Sequence, residues 1–457
     1  MFSSLSFFLL AGVQILFHAC QCSALVTGRK SFPLDLITRD GSAGITLEAI
    51  ANTTASQTVD AVDLRYVTNI TVNGRNFRVL IDTGSIDLWL VTPPDFTFND
   101  TKIFVNNGFL GGAVNGTIGF GTVQLGSYTV AQQAFNSAKV VQLGDVLNLG
   151  LDGLIGLSFQ GQGTPSAIEE ALDEAGMDPK LGTPFLLNVF NQTPNQNNAI
   201  GMSLTRTDDS EGTAISSFTI NSVDPAIANA RIPAIPLFPG DNGIWSFLVD
   251  GFSVNGQQIA VPASSVDNVP LGKMVFRLDT GTPSALMPQP LMDAIYSSIS
   301  GSVFRVVRGF DSEPVWTVPC DSTAILSMMV GSQYFPIHPL DLSEVFIETT
   351  TQQPVCVSPF LGAPGNIFRD ILAGDSFMRN FYSIFNFANA ITLAPTQNAS
   401  VQLIPETNAT SASQDAVNVR NALLNKYKKN SSRPSVAITS IQGGLLLGAV
   451  GLLLGFM

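Results

Sequence analysis

The chain has 457 residues, enough for two or three ordinary domains, with 45% hydrophobic and only 12% charged residues. Lys and Arg number 22 against 35 Asp and Glu, for a net charge of −13, which excludes a disordered chain and a nucleic-acid binder. There are two histidines, His18 and His338, and His18 lies in an apolar N-terminal stretch. A Ser-His-Asp triad, a two-histidine zinc site and an HExxH motif are therefore out of reach, and no metal or cofactor is expected. His338, next to Pro339, reads as a structural loop or strand residue. Any chemistry here must run on carboxylates.

Residues 1–24 read as a signal peptide, with an apolar run from Leu5 to Phe17 and small residues at Cys22, Ser23 and Ala24. Cys20 and Cys22 leave with it, so Cys320 and Cys356 remain as an even pair in a secreted chain and are expected to form a disulfide. Residues 25–60 sit where a short prosegment belongs, although Arg29, Lys30 and Arg39 are its only basic residues.

Alternating apolar and polar runs then dominate, as in Tyr66 to Val72 before Asn73-Gly74 and Thr122 to Leu125 before Gly126. Helical periodicity is confined to short pieces such as 166–175 and 290–300. The chain is expected to be mainly β. An internal repeat organises it. Phe77-Arg78-Val79-Leu80-Ile81-Asp82-Thr83-Gly84-Ser85 is echoed by Met274-Val275-Phe276-Arg277-Leu278-Asp279-Thr280-Gly281-Thr282, and Leu154 to Phe159 by Leu372 to Phe377. Two related β-lobes, 61–215 and 216–402, each lending one aspartate to a shared cleft, account for this.

Beyond them, residues 403–432 are rich in Asn, Ser and Thr and read as a stalk. Small residues at Asn430-Ser431-Ser432, a spacer, and an apolar run to Met457 have the order of a GPI attachment signal, with Asn430 as the attachment candidate and 433–457 removed. The competing reading is a single transmembrane helix, since Pro434 to Met457 carries no charge. Sequons at Asn52, Asn69, Asn99, Asn115, Asn191, Asn398, Asn408 and Asn430 fit passage along the secretory route to the cell surface.

One Asp-Thr-Gly should arise by chance in roughly one chain in ten of this length. Two copies, each after an apolar strand and before a hydroxyl residue, are on the order of a thousand times rarer. An apolar strand carries Asp82 or Asp279 into a partly buried position, which penalises ionisation. Gly84 and Gly281 let backbone approach the carboxylates, and Ser85 and Thr282 can bond to their outer oxygens. Carboxylates held that close share one proton: the charged one deprotonates a water while the neutral one protonates a carbonyl oxygen.

These motifs, with Trp89, Leu151 to Leu157 and Leu372 to Arg379, make residues 64–395 resemble the pepsin family of aspartic endopeptidases. The GPI-like tail makes the layout similar to yapsin-like surface proteases of fungi. The resemblance implies a bilobal acid-protease fold, polypeptide substrates, no cofactor, a monomer at the cell surface or secreted, and Asp82 and Asp279 as the dyad. It also implies that Thr83 and Thr280 hydrogen-bond across the lobe junction and that Cys320 pairs with Cys356.

The chain departs from the family at the flap, where Phe109 stands for a tyrosine that bonds the tryptophan matching Trp89. The first lobe is trimmed between Trp89 and Phe109, and the Asn115 sequon lies close to the flap. A catalytically silent, peptide-binding relative is the second reading. A two-carboxylate glycoside hydrolase is the third, disfavoured because those enzymes need carboxylates in unlike surroundings.

Overall fold

The computed structural model describes residues 45–431, with interruptions of which the longest are 52–62, 159–165, 207–215 and 389–398. The expected leader and tail, Asn52 and Asn398 lie outside the described residues. The fold is mostly β, as expected, with two lobes joined by a shared sheet.

In the first half, β1 (Ile45–Ala51), β2 (Asp63–Val72), β3 (Arg75–Asp82), β4 (Leu88–Leu90), β5 (Asn99–Phe109), β6 (Gly112–Leu125), β7 (Tyr128–Val141) and β8 (Gly153–Gly156) follow in order. Asn73 and Gly74, both at positive φ (47° and 82°), turn β2 into β3 in the way Asn-Gly hairpins do. The end of β3 is buried throughout, because Val79–Asp82 run parallel to Gly153–Gly156 of β8 inside the sheet. The second half repeats the device. Phe276–Leu278 run parallel to Ile371–Ala373, and Ala285 and Leu286 pair antiparallel on the far side of that strand.

Strands β9 (Ala199–Ser203) and β10 (Ser216–Ile220) pair with each other, and β9 also pairs with Phe381–Asn386 from the second half. The division drawn at 215/216 thus falls between two neighbours of one shared sheet. In that sheet β1 links the halves: Ile45–Leu47 pair with β10 and Glu48–Ala51 with β2. Part of the expected prosegment is therefore a sheet strand.

The second half carries its disulfide between Cys320 and Cys356, whose Cα atoms are 5.2 Å apart. Its clearest departure from expectation lies at the stalk. Residues 400–405 form a strand and Ala409–Ser431 a helix of 23 residues, including Asn430 in its last turn. Composition suggested a stalk, yet Ala412, Ala416 and Arg420 recur at helical spacing and are buried, and Leu423 and Leu424 pack on the main core.

That helix closes a buried polar cluster. Arg420 donates to the carbonyl of Ser343, and Asp415 Oδ2 lies 3.4 Å from His338 Nε2. Beneath them, Asp341 accepts from Arg206, from Arg379 Nη2 at 2.9 Å and from Asn380 Nδ2 at 2.9 Å. Burial would raise the Asp341 carboxyl, but the two arginines outweigh it and hold it down to about 2. Burial first, and then Arg206, push His338 down to about 3, so it is a neutral structural residue, as its sequence context suggested.

Candidate active site

Strand β3 and its counterpart Met274–Leu278 end side by side, and each delivers an Asp-Thr-Gly turn to the junction of the lobes. Past Asp82 the chain is held by Leu157, whose N–H donates to the Asp82 carbonyl at 2.7 Å; the Asp279 N–H donates to the Ala373 carbonyl at 3.0 Å. The Gly84 and Gly281 N–H groups each donate to Oδ1 of their own aspartate at 2.8 Å. The two turns share this glycine-to-carboxyl bond.

They also face each other. A Cβ placed on Gly84 would lie 2.5 Å from Asp279 Cγ, and one on Gly281 would lie 2.5 Å from Asp82 Oδ1. Only glycine permits that approach, which brings each carboxyl against the opposite turn. The carboxyl groups of Asp82 and Asp279 are within hydrogen-bonding reach of each other. Burial first, and the charge of Asp279 next, push the Asp82 carboxyl up to about 8. Thr282 Oγ1 donates to Asp279 Oδ2 at 3.0 Å. The Ser85 hydroxyl is near enough to Asp82 to oppose that rise, but makes no well-aligned hydrogen bond among the described residues.

Beneath the carboxyls, Thr83 and Thr280 exchange hydrogen bonds across the junction, and each hydroxyl donates onward to a carbonyl of the other lobe, Leu278 at 3.3 Å and Ile81 at 2.9 Å. Trp245, which motif reading passed over, also crosses: its indole N–H donates to the Leu157 carbonyl at 3.4 Å.

The arrangement brings two matching carboxyl-bearing turns together on one small site, fixed from both lobes, with the Asp82 carboxyl pushed up by burial and by its neighbour. A profile of the family described as eukaryotic aspartyl protease matches residues 95–396. The chain belongs to the eukaryotic aspartyl protease family. The matched stretch of this aspartyl protease begins after Asp82 and contains Asp279. Among its curated relatives, a probable aspartic-type endopeptidase of Aspergillus fumigatus is 23% identical over 362 residues, 71% of this chain and 77% of the relative. Cathepsin D of Dictyostelium discoideum is 23% identical over 353 residues, 72% and 82% of the two chains. Pepsin A of Suncus murinus is 23% identical over 361 residues, 74% and 82%.

The hairpin β5–β6 of this aspartyl protease pairs Phe109 with Gly112 at its tip. Phe109 packs on a cluster holding Trp89, Leu80, Leu151 and Leu154. The Trp89 indole N–H is fully buried and finds no acceptor among the described residues. Of the sequons, Asn69, Asn99, Asn191 and Asn408 are exposed and Asn115 is half-buried. No group of three or more potential metal ligands occurs among the described residues, and no described helix is long and apolar enough to cross a membrane.

Proposed function

We propose that this aspartyl protease hydrolyses peptide bonds with Asp82 and Asp279 as its dyad. The observation that carries the reading is the reciprocal approach of the two turns, in which each glycine leaves room for the opposite carboxyl. A carboxyl pushed up to about 8 by burial and by Asp279 keeps a proton beside a second carboxyl, as a shared-proton dyad requires. The ionised member takes a proton from a water molecule. That water attacks the peptide carbonyl carbon while the protonated member donates to the carbonyl oxygen. Collapse of the tetrahedral intermediate breaks the C–N bond, and a proton passes to the leaving amine. Thr83 and Thr280 hold the turns, and Thr282 orients the outer oxygen of Asp279.

The test is digestion of an acid-denatured protein by the purified ectodomain, with and without a transition-state peptide inhibitor. Asp82→Asn and Asp279→Asn should each remove nearly all activity while secretion and folding persist. Retention of more than about one per cent of activity in either variant sinks the shared-proton mechanism.

The same reading places the enzyme at the cell surface as a yapsin-like, GPI-anchored monomer that acts on polypeptides, with a leader at 1–24 and a removable tail at 433–457. Support comes from the two terminal sequence patterns and the sequons. Release from cells by phosphatidylinositol-specific phospholipase C is the expected result. A mature chain that keeps its peptide through Met457 excludes the lipid anchor.

A further inference from the structure

Two residues before Phe109, and so on the same side of β5, Asn107 is buried. Its Nδ2 donates to Asp87 Oδ2 at 2.8 Å, and its Oδ1 accepts from Asn136 Nδ2 of β7 at 2.8 Å. The Asn136 amide also donates to the Val114 carbonyl of β6 at 3.1 Å. Asp87 itself lies five residues after Asp82, and its Oδ1 accepts from the Ser166 hydroxyl at 2.5 Å. Ser166 caps the helix Ala167–Glu174 by accepting from the Glu169 N–H at 3.1 Å. All four side chains are buried.

The chain of bonds has one direction. Asn107 turns its amino group to Asp87 and its carbonyl to Asn136. Leaving any of these buried polar groups short of its partner is expensive. The relay thus runs from the segment just after Asp82, through β5, to the other two strands of the hairpin sheet. Nearby, the Trp89 indole N–H has no acceptor among the described residues, and the Phe109 ring supplies no oxygen for it.

We propose that Asp87, Asn107 and Asn136 are positioning residues for peptide hydrolysis. Their relay holds the β5–β6 hairpin at a fixed height relative to the Asp82 turn, a task the Phe109 side chain cannot perform by hydrogen bonding. The proposal rests on Asp82 and Asp279 being the dyad, since it is their site that the hairpin is set against.

The experiment measures kcat and KM on a peptide substrate in acid, together with backbone hydrogen exchange over residues 99–125, in the full chain. Asn107→Ala should lower kcat by about tenfold with a smaller change in KM, and should speed exchange in the hairpin while leaving the second half unchanged. Asp87→Asn, which keeps an acceptor oxygen for Asn107, should retain most of kcat. Adding Phe109→Tyr to Asn107→Ala should recover part of the loss, because a hydroxyl there offers the Trp89 N–H an acceptor.

Kinetics of Asn107→Ala within about twofold of wild type, with exchange accelerated, would reduce the relay to a purely structural one. Unchanged exchange would overturn it outright. Asn136→Ala, at the far end of the relay, gives the same readings where Asn107→Ala does not fold. Activity surviving in Asp82→Asn defeats the dyad instead, and the exchange data still decide the relay.

Discussion

Thr83 and Thr280 each donate a backbone N–H to the other's hydroxyl at 3.1 Å, so the two halves are stitched directly beneath the carboxyls. Both residues are fully buried. Replacing one by valine keeps the shape, removes one onward hydroxyl bond and leaves the partner's N–H without an acceptor. Thr83→Val or Thr280→Val should each destabilise the protein by about 1–3 kcal/mol and lower kcat more than KM. Denaturant unfolding and steady-state kinetics check this; a variant with unchanged stability contradicts it.

The buried carboxyl gives stability a definite pH slope. Asp82 binds its proton more tightly folded than unfolded, so its contribution is fully present below about pH 3.8 and is lost as pH rises through about 8. Asp82→Asn removes this penalty and should raise Tm at about pH 7 by a few degrees, with the gain vanishing toward about pH 4. His338 has the opposite sign. Its folded pKa of about 3 lies below 6.5, so the native state binds fewer protons and stability falls as pH drops between those values. Thermal melts of Asp82→Asn and of His338→Gln should therefore depart from wild type with opposite pH slopes, the first gaining as pH rises and the second as pH falls.

Phe109→Tyr offers a hydroxyl beside the cluster that contains Trp89. A neutral hydrogen bond of about 0.5–1.5 kcal/mol, made in the transition state, should raise kcat/KM by roughly 2- to 12-fold. An unchanged value would show that the hydroxyl does not reach the indole N–H.

Arg420 is a buried cation whose guanidinium caps the Ser343 carbonyl. Arg420→Met should destabilise the second half by about 1–3 kcal/mol, since that carbonyl loses a charged donor. Limited proteolysis should then cut the C-terminal helix sooner than in wild type.

Much of this was legible in the sequence because the signals were local. An apolar strand, an aspartate and a glycine in consecutive positions announce their own geometry, and the repetition of Asp82 in Asp279 announced two lobes. The relay was hidden because Asp87, Asn107, Asn136 and Ser166 come from four separate segments; only an acidic residue between Ile86 and Leu88 hinted at buried polarity. The C-terminal helix was masked by its Asn, Ser and Thr content, although its alanines at four-residue spacing carried the pattern. Nothing local distinguishes β9 and β10 as shared strands, because sheet membership depends on partners almost 200 positions away, such as Ile384 beside Gly201.

The placement of β1 separates two events that maturation is usually taken to join. Its seven residues pair with β10 and β2, three positions on one neighbour and four on the other. A cut between 51 and 63 therefore severs the covalent link without dislodging the strand. The nicked enzyme should run as a shorter polypeptide in denaturant while keeping its full mass in native solution. Loss of the strand, and not the cut itself, is what would open the seam between the halves.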